Sequence, residues 1–256
     1  MDINFKSKYL KEFIKEITYN NRNPKDLTAL KLLEDLSTNP ERTLHIGTEL
    51  YRCRIIKDGD PINNNKPFYG FDESNSFVPP VKATRDLRAN YRYIPYLYSS
   101  NNPYIALVEV RPKLGSSVSL ATIIVTEKLT LLDFTNAKKP HKMTPAKINL
   151  FSDLSALYSK PVTDDDDIID YIPTQYIAEY VKNLGYDGIV FKSSLVPEIN
   201  GAYLERYNVV IFNYNKCKAV KSNVFSITGN YFDCKQMDSG PDISVGSYIY
   251  ELINSL

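Results

Sequence analysis

The chain has 256 residues, 43% hydrophobic and 24% charged, with a formal net charge of +1. That length buries a good core in one domain with appendages, and the near-zero charge argues against electrostatic capture by nucleic acid or an anionic membrane. No apolar run approaches bilayer length and the opening MDINFKSKYLKEF lacks a signal-peptide core, so a cytoplasmic protein is expected. Cys53, Cys217 and Cys234 are scattered with no C-x-x-C spacing and read as reduced thiols. Two histidines, His45 and His141, leave little for a His-rich metal site or a His-based triad, so no metal is expected.

In chain order, residues 1 to 45 read as helical. Phe5, Tyr9, Phe13, Ile14 and Ile17 share one face, and a second helix is expected from Asn23-Pro24, with Leu27, Leu30, Leu33 and Leu36 on one side. This extension either covers the main domain or presents a partner surface, and covering is the preferred reading. From Thr48 the pattern alternates as a strand, closed by the turn Lys57–Pro61. The polar stretch from Pro61 to Val81 is a loop long enough to be functional or mobile.

The segment RANYRYIPYLYSSNNPYIALVEVRP, residues 88–112, predicts a strand over Ile94–Tyr98, a turn through Ser99–Asn102, and a helix opened by Asn102 as N-cap and Pro103 at the first position. Glu109 then stands in an apolar setting. It is either the partner of Arg88, Arg92 or Arg111 in a salt bridge or a carboxylate the site requires. Strands follow at Val118–Val125 and Leu129–Phe134, then a helix from Thr144-Pro145 to about Tyr158. The run Asp164–Asp167 has no EF-hand spacing and reads as a solvated loop. A helix stopping at Gly185, a strand Ile189–Lys192 after Asp187-Gly188, an apolar strand Tyr207–Phe212 and a last strand near Cys217–Ile227 complete the pattern. The division expected is residues 1–45 as helical extension, 46–230 as main domain and 231–256 as tail.

Several of these stretches, taken together, resemble the RES domain family, named for an Arg, a Glu and a Ser. They are Tyr51-Arg52, Arg88-x-Asn90, Pro95–Tyr98, Ala106–Val110, and Gly185–Ile189 followed by Ser193. The sequence departs from the common G-G-R-W-N of toxin-type members, having Leu87-Arg88-Ala89-Asn90 and no tryptophan. The resemblance implies an α+β, ADP-ribosyltransferase-like fold: a split, mostly antiparallel sheet with flanking helices and, here, an N-terminal helical extension. It implies a substrate, NAD⁺, bound in the cleft, beside which the 61–81 loop would lie. It also implies cleavage of the nicotinamide–ribose bond by a glycohydrolase or phosphorylase, with no cofactor required and inorganic phosphate as an optional co-substrate. Several family members are toxins of toxin–antitoxin pairs, so an antitoxin blocking the cleft is an implied partner. Mono-ADP-ribosylation of a macromolecule and non-catalytic binding of a nucleotide or partner are the alternatives.

Carried over, the family residues fall on Arg52, Arg88, Tyr98, Glu109 and Ser193. The chemistry suits them. A guanidinium fork binds pyrophosphate in bidentate fashion, fitting Arg52 and Arg88. A tyrosine face attracts the cationic nicotinamide ring, fitting Tyr98. A carboxylate on the ribose hydroxyls stabilises an oxocarbenium-like transition state, fitting Glu109. Ser193 hydrogen-bonds the ribose or the carboxamide, and Gln175 either contacts ligand or caps its helix.

Overall fold

The computed structural model describes residues 4–135, 142–160, 168–195 and 206–229. Within these the strands are β1 (Glu41–Leu44), β2 (Glu49–Ile55), β3 (Leu97–Ser100), β4 (Ser117–Val125), β5 (Leu129–Asp133), β6 (Gly188–Lys192), β7 (Tyr207–Ile211) and β8 (Cys217–Ser226). The α-helices are α1 (Lys8–Lys15), α2 (Thr28–Lys31), α3 (Pro103–Glu109), α4 (Pro145–Ser159) and α5 (Ile172–Asn183). Asp164–Asp167, His141, Cys234 and the 231–256 tail lie outside the described residues.

The strands form one sheet in the order β1-β5-β6-β7-β3-β2-β4-β8, antiparallel except for β5 and β6. That parallel pair needs a crossover, and α4 and α5 lie within it. β2 and β3 meet at a single residue pair, Tyr51 with Ser100, whereas β2 and β4 pair over seven. The sheet is therefore split between β2 and β3, as the α+β, ADP-ribosyltransferase-like expectation requires. At its centre β7 is buried along its whole length, which explains its nearly unbroken apolar sequence.

Strand alternation sends successive side chains to opposite faces of the sheet. On one face Leu50, Leu97, Ala121, Leu131, Val190, Val209 and Ile211 form a core. On the other, Tyr96, Leu132, Ile189, Val210 and Phe212 pack under α4 and α5, and Cys53 and Val118 pack under α3. Cys53 and Cys217 are buried free thiols, and burial pushes them up to about 11 and about 12 respectively.

The N-terminal segment covers the main domain. Leu10, Phe13, Ile17, Ala29, Leu30 and Leu33 belong to the same core as Phe151 and Ile177. Asp153 of α4 accepts from the backbone N–H groups of Lys6 (3.1 Å) and Ser7 (2.7 Å), and Lys147 donates to the Asp35 carbonyl and the Thr38 hydroxyl. The helical expectation for this region holds only in part. The second helix is reduced to Thr28–Lys31, and residues 41–44 form the edge strand β1. Asp26 takes both the N–H and the hydroxyl of Thr28, and Asp35 takes the hydroxyls of Ser37 and Thr38. Such local side-chain bonds compete with a continuing helix.

Two further elements are shifted. β3 runs on through Ser99 and Ser100, which were expected to turn, because their hydroxyls donate to the Val209 carbonyl and to Asn208 on β7. The 61–81 loop, expected beside the ligand, supplies no residue to the cavity described below. Instead it folds over β4 and β8. The N–H of Phe71 donates to Ser119 and that of Gly70 to Ser222, and a Cβ at Gly70 would lie 2.3 Å from the Ser119 hydroxyl.

Gly188 opens β6, and a Cβ there would lie 2.3 Å from the Val210 carbonyl oxygen on β7. The obstacle is backbone in the sheet centre and cannot rotate away. Gly188→Ala is therefore expected to destabilise the fold by about 1–3 kcal/mol, read as a lowered denaturation midpoint at unchanged slope. An unchanged midpoint would mean that this strand contact is looser than described.

Candidate active site

The cleft at the split is a cavity of about 500 Å³, a size suited to a small-molecule ligand. Its walls include Tyr51, Tyr98, Tyr158, Tyr171 and Phe191. Among the described residues, five basic ones border it, Arg52, Arg88, Arg111, Lys160 and Lys192, against one acid, Glu109. Such a balance favours an anionic ligand.

Glu109 is the last residue of α3. Asn102 caps that helix by accepting from the Tyr104 N–H at 2.8 Å, with Pro103 at the first position, as the sequence predicts. One carboxylate oxygen, Oε1, accepts from the Ser193 hydroxyl at 2.7 Å and from the Asn208 side-chain amide at 2.6 Å. Asn208 is held in turn by Ser100, whose hydroxyl donates to Oδ1 at 2.7 Å. Among the described residues Glu109 forms no ion pair, so the salt-bridge reading with Arg88, Arg92 or Arg111 does not hold. Three elements thus converge on one oxygen: α3, the residue following β6, and β7.

Arg88 and Tyr98 reach the same cavity from a pinned turn. Asn90, almost wholly buried, donates to the carbonyls of Arg85 and Tyr91 and accepts from the Tyr98 hydroxyl at 2.8 Å. The Ala89 N–H donates to the same hydroxyl at 3.0 Å. Arg88 donates to the Tyr158 carbonyl, and burial raises the Tyr98 phenol so that it stays protonated.

Gln175, read as contacting ligand or capping its helix, supports a turn in this structure. Its amide is buried and donates to the carbonyls of Leu87 (3.0 Å) and Asn90 (2.9 Å), and no side chain caps α5. It holds the turn that carries Arg88.

Arg52 stands apart from the carboxylate. On β2 it faces the same way as Leu50 and Arg54, opposite Ala121, while Tyr51 and Cys53 face α3. Its Nη1 donates to the Ser76 carbonyl at 3.4 Å. Burial, with Arg54 nearby, pushes its guanidinium down to about 10. It borders the cavity next to Tyr51, the residue that bridges the split. Four of the six predicted residues, Arg52, Arg88, Tyr98 and Glu109, therefore border the cavity, and Ser193 is bonded to Glu109.

Sequence reasoning passed over Asn208 and weighed Arg111 only as an ion-pair partner of Glu109. A polar residue inside the otherwise apolar run Tyr207–Phe212 is the signal for Asn208: a buried amide in a central strand requires a partner. Among the described residues no cluster of three or more His, Cys, Asp or Glu could hold a metal, and no helix is long and apolar enough to cross a membrane.

No curated protein matches the chain. Among solved structures, the chain is similar to one from the crystal structure of the M. tuberculosis MbcT–MbcA toxin–antitoxin complex. The identity is 14% and the TM-score 0.46, with 78% of this chain and 93% of that chain covered. The family model described as RES domain matches residues 50–232, which include every residue of the cleft described above. The chain belongs to the RES domain family.

Proposed function

We propose that this protein consumes NAD⁺, cleaving its nicotinamide–ribose bond and passing the ADP-ribose to water or phosphate. The observation that carries this reading is the carboxylate of Glu109, the one acid among the described residues of the cleft, fixed through one oxygen by two neutral donors in a basic, aromatic lining.

Breaking the N-glycosidic bond develops positive charge on the ribose. Glu109 is placed to stabilise that charge. Because Ser193 and Asn208 occupy Oε1, the other oxygen is left to accept a ribose hydroxyl, and it need not reorient as the bond stretches. Arg88 supplies a guanidinium for the pyrophosphate, and the ring of Tyr98 packs against nicotinamide; Arg52, whose side chain is turned to the other face of the sheet, acts from behind β2. The fully buried Tyr158 ring, stacked on Phe134, closes the floor and keeps water from that side. The raised phenols of Tyr98 and Tyr158 are not bases at neutral pH, so no tyrosinate enters the scheme. Family membership supports a toxin role, with an antitoxin that occludes the cleft as its partner.

The test is product analysis after incubation with NAD⁺, with and without inorganic phosphate. Free nicotinamide with ADP-ribose or its phosphorylated form is expected. Label retained on macromolecule, with little free ADP-ribose, would point instead to a transferase. Tight NAD⁺ binding without nicotinamide release would point to a binding module.

Glu109→Ala is expected to stay folded and lose about two to three orders of magnitude in kcat. Nicotinamide release by that variant at the wild-type rate would remove Glu109 from the mechanism. Asn208→Ala is expected to lower kcat by roughly 10²-fold at nearly unchanged KM, because it frees the carboxylate without touching the dinucleotide. A change confined to KM would show that Asn208 contacts substrate directly.

A further inference from the structure

Helix α3 ends on a residue that the geometry does not favour. Val110 keeps a right-handed backbone at φ −84, and Arg111 then turns to φ +47. This is the position just past a helix where glycine, or sometimes asparagine, supplies the left-handed residue, because a Cβ there crowds the next carbonyl. Among the described residues, Tyr93 is the one other non-glycine residue with positive φ. The helix could end at this point with glycine, yet the chain places a long cation there.

Among the described residues the guanidinium has no structural employment that would explain the choice. Arg111 makes no side-chain hydrogen bond or ion pair with any described residue, and Glu109, two residues earlier, is held by neutral donors. A cation near a helix C-terminus does interact favourably with the helix dipole. A basic residue within the last turn gains that same benefit with ordinary backbone angles. The left-handed placement gains something else: it sets Arg111 on the wall of the cavity beside the carboxylate.

We propose that Arg111 is a phosphoryl-binding residue of this cleft. Its planar fork grips phosphoryl oxygens, those of the dinucleotide pyrophosphate or those of a free phosphate that accepts the ADP-ribose. The biological ligand rests on the NAD⁺ reading, whereas the anion site itself does not. Arg111 thereby adds a cation on the α3 side of the cleft to that of the Arg88 turn.

The test compares wild type with Arg111→Gly and Arg111→Lys by thermal melting, by calorimetric titration with inorganic pyrophosphate and with orthophosphate, and by NAD⁺ kinetics. Arg111→Gly is expected to melt at or above the wild-type temperature, since glycine relieves the left-handed strain. It is also expected to bind one of the two anions roughly tenfold more weakly or worse. Arg111→Lys, which keeps the charge and loses the fork, falls between. Loss for pyrophosphate, with a raised KM for NAD⁺, assigns Arg111 to the dinucleotide. Loss for orthophosphate alone assigns it to the acceptor. Equal affinities in wild type and Arg111→Gly, or no anion binding by the wild type, would overturn the proposal. If anion binding falls as expected while the wild type leaves NAD⁺ intact, the NAD⁺ reading fails and the anion site stands.

Discussion

Oε1 of Glu109 accepts from Ser193 and Asn208, and these two bonds tie the end of α3 to the two halves of chain that follow the crossover. A carboxylate oxygen accommodates two such donors, and charge-assisted bonds of this kind are roughly twice as strong as neutral ones. Their combined effect is directional. With Oε1 occupied from the sheet side, the remaining acceptor capacity of the group belongs to the cavity. Glu109 is accessible to solvent, so it is the geometry of its partners that fixes it and not enclosure.

That convergence depends on the split in the sheet. Because β2 and β3 share only the Tyr51–Ser100 pair, the two halves part there and leave a cleft bordered by both. Ser100 serves both sides of the construction: its backbone joins β2 to β3, and its hydroxyl anchors Asn208. The opposite wall is a turn whose shape is imposed from below by Gln175 and from within by Asn90. The N-terminal segment acts at one remove. Its apolar side chains complete the core under α4 and α5, the helices that carry Tyr158 and Gln175.

Much of this was legible in the residues. The Asn102-Pro103 start, the apolar β7 and the turn at Asp187-Gly188 each carry a local signal with a physical cause. The order of Arg, Arg-x-Asn, Tyr, Glu and Ser pointed to one cleft although no member did so alone. What the sequence hid was side-chain direction and long-range satisfaction. Arg52 lies one residue from Tyr51, yet alternation sends it to the other face of the sheet, where Ser76 receives it. Gln175 carries the same amide whether it meets a ligand or the carbonyls of Leu87 and Asn90, and only packing decides. The second helix, expected from Asn23-Pro24 through Leu36, overran because Asp26 and Asp35 capture nearby hydroxyls. Arg111 offers no sequence signal, since a left-handed φ is invisible until the helix end is located.

A crystal structure of Glu109→Gln with NAD⁺ bound tests the central claim most directly, since the substitution preserves shape while slowing cleavage. The nicotinamide ribose is predicted within about 3 Å of the side chain at position 109, with the pyrophosphate among the arginines and the nicotinamide ring against Tyr98. A dinucleotide bound elsewhere, or seated in the cleft with its nicotinamide ribose turned away from positions 109, 193 and 208, would contradict it.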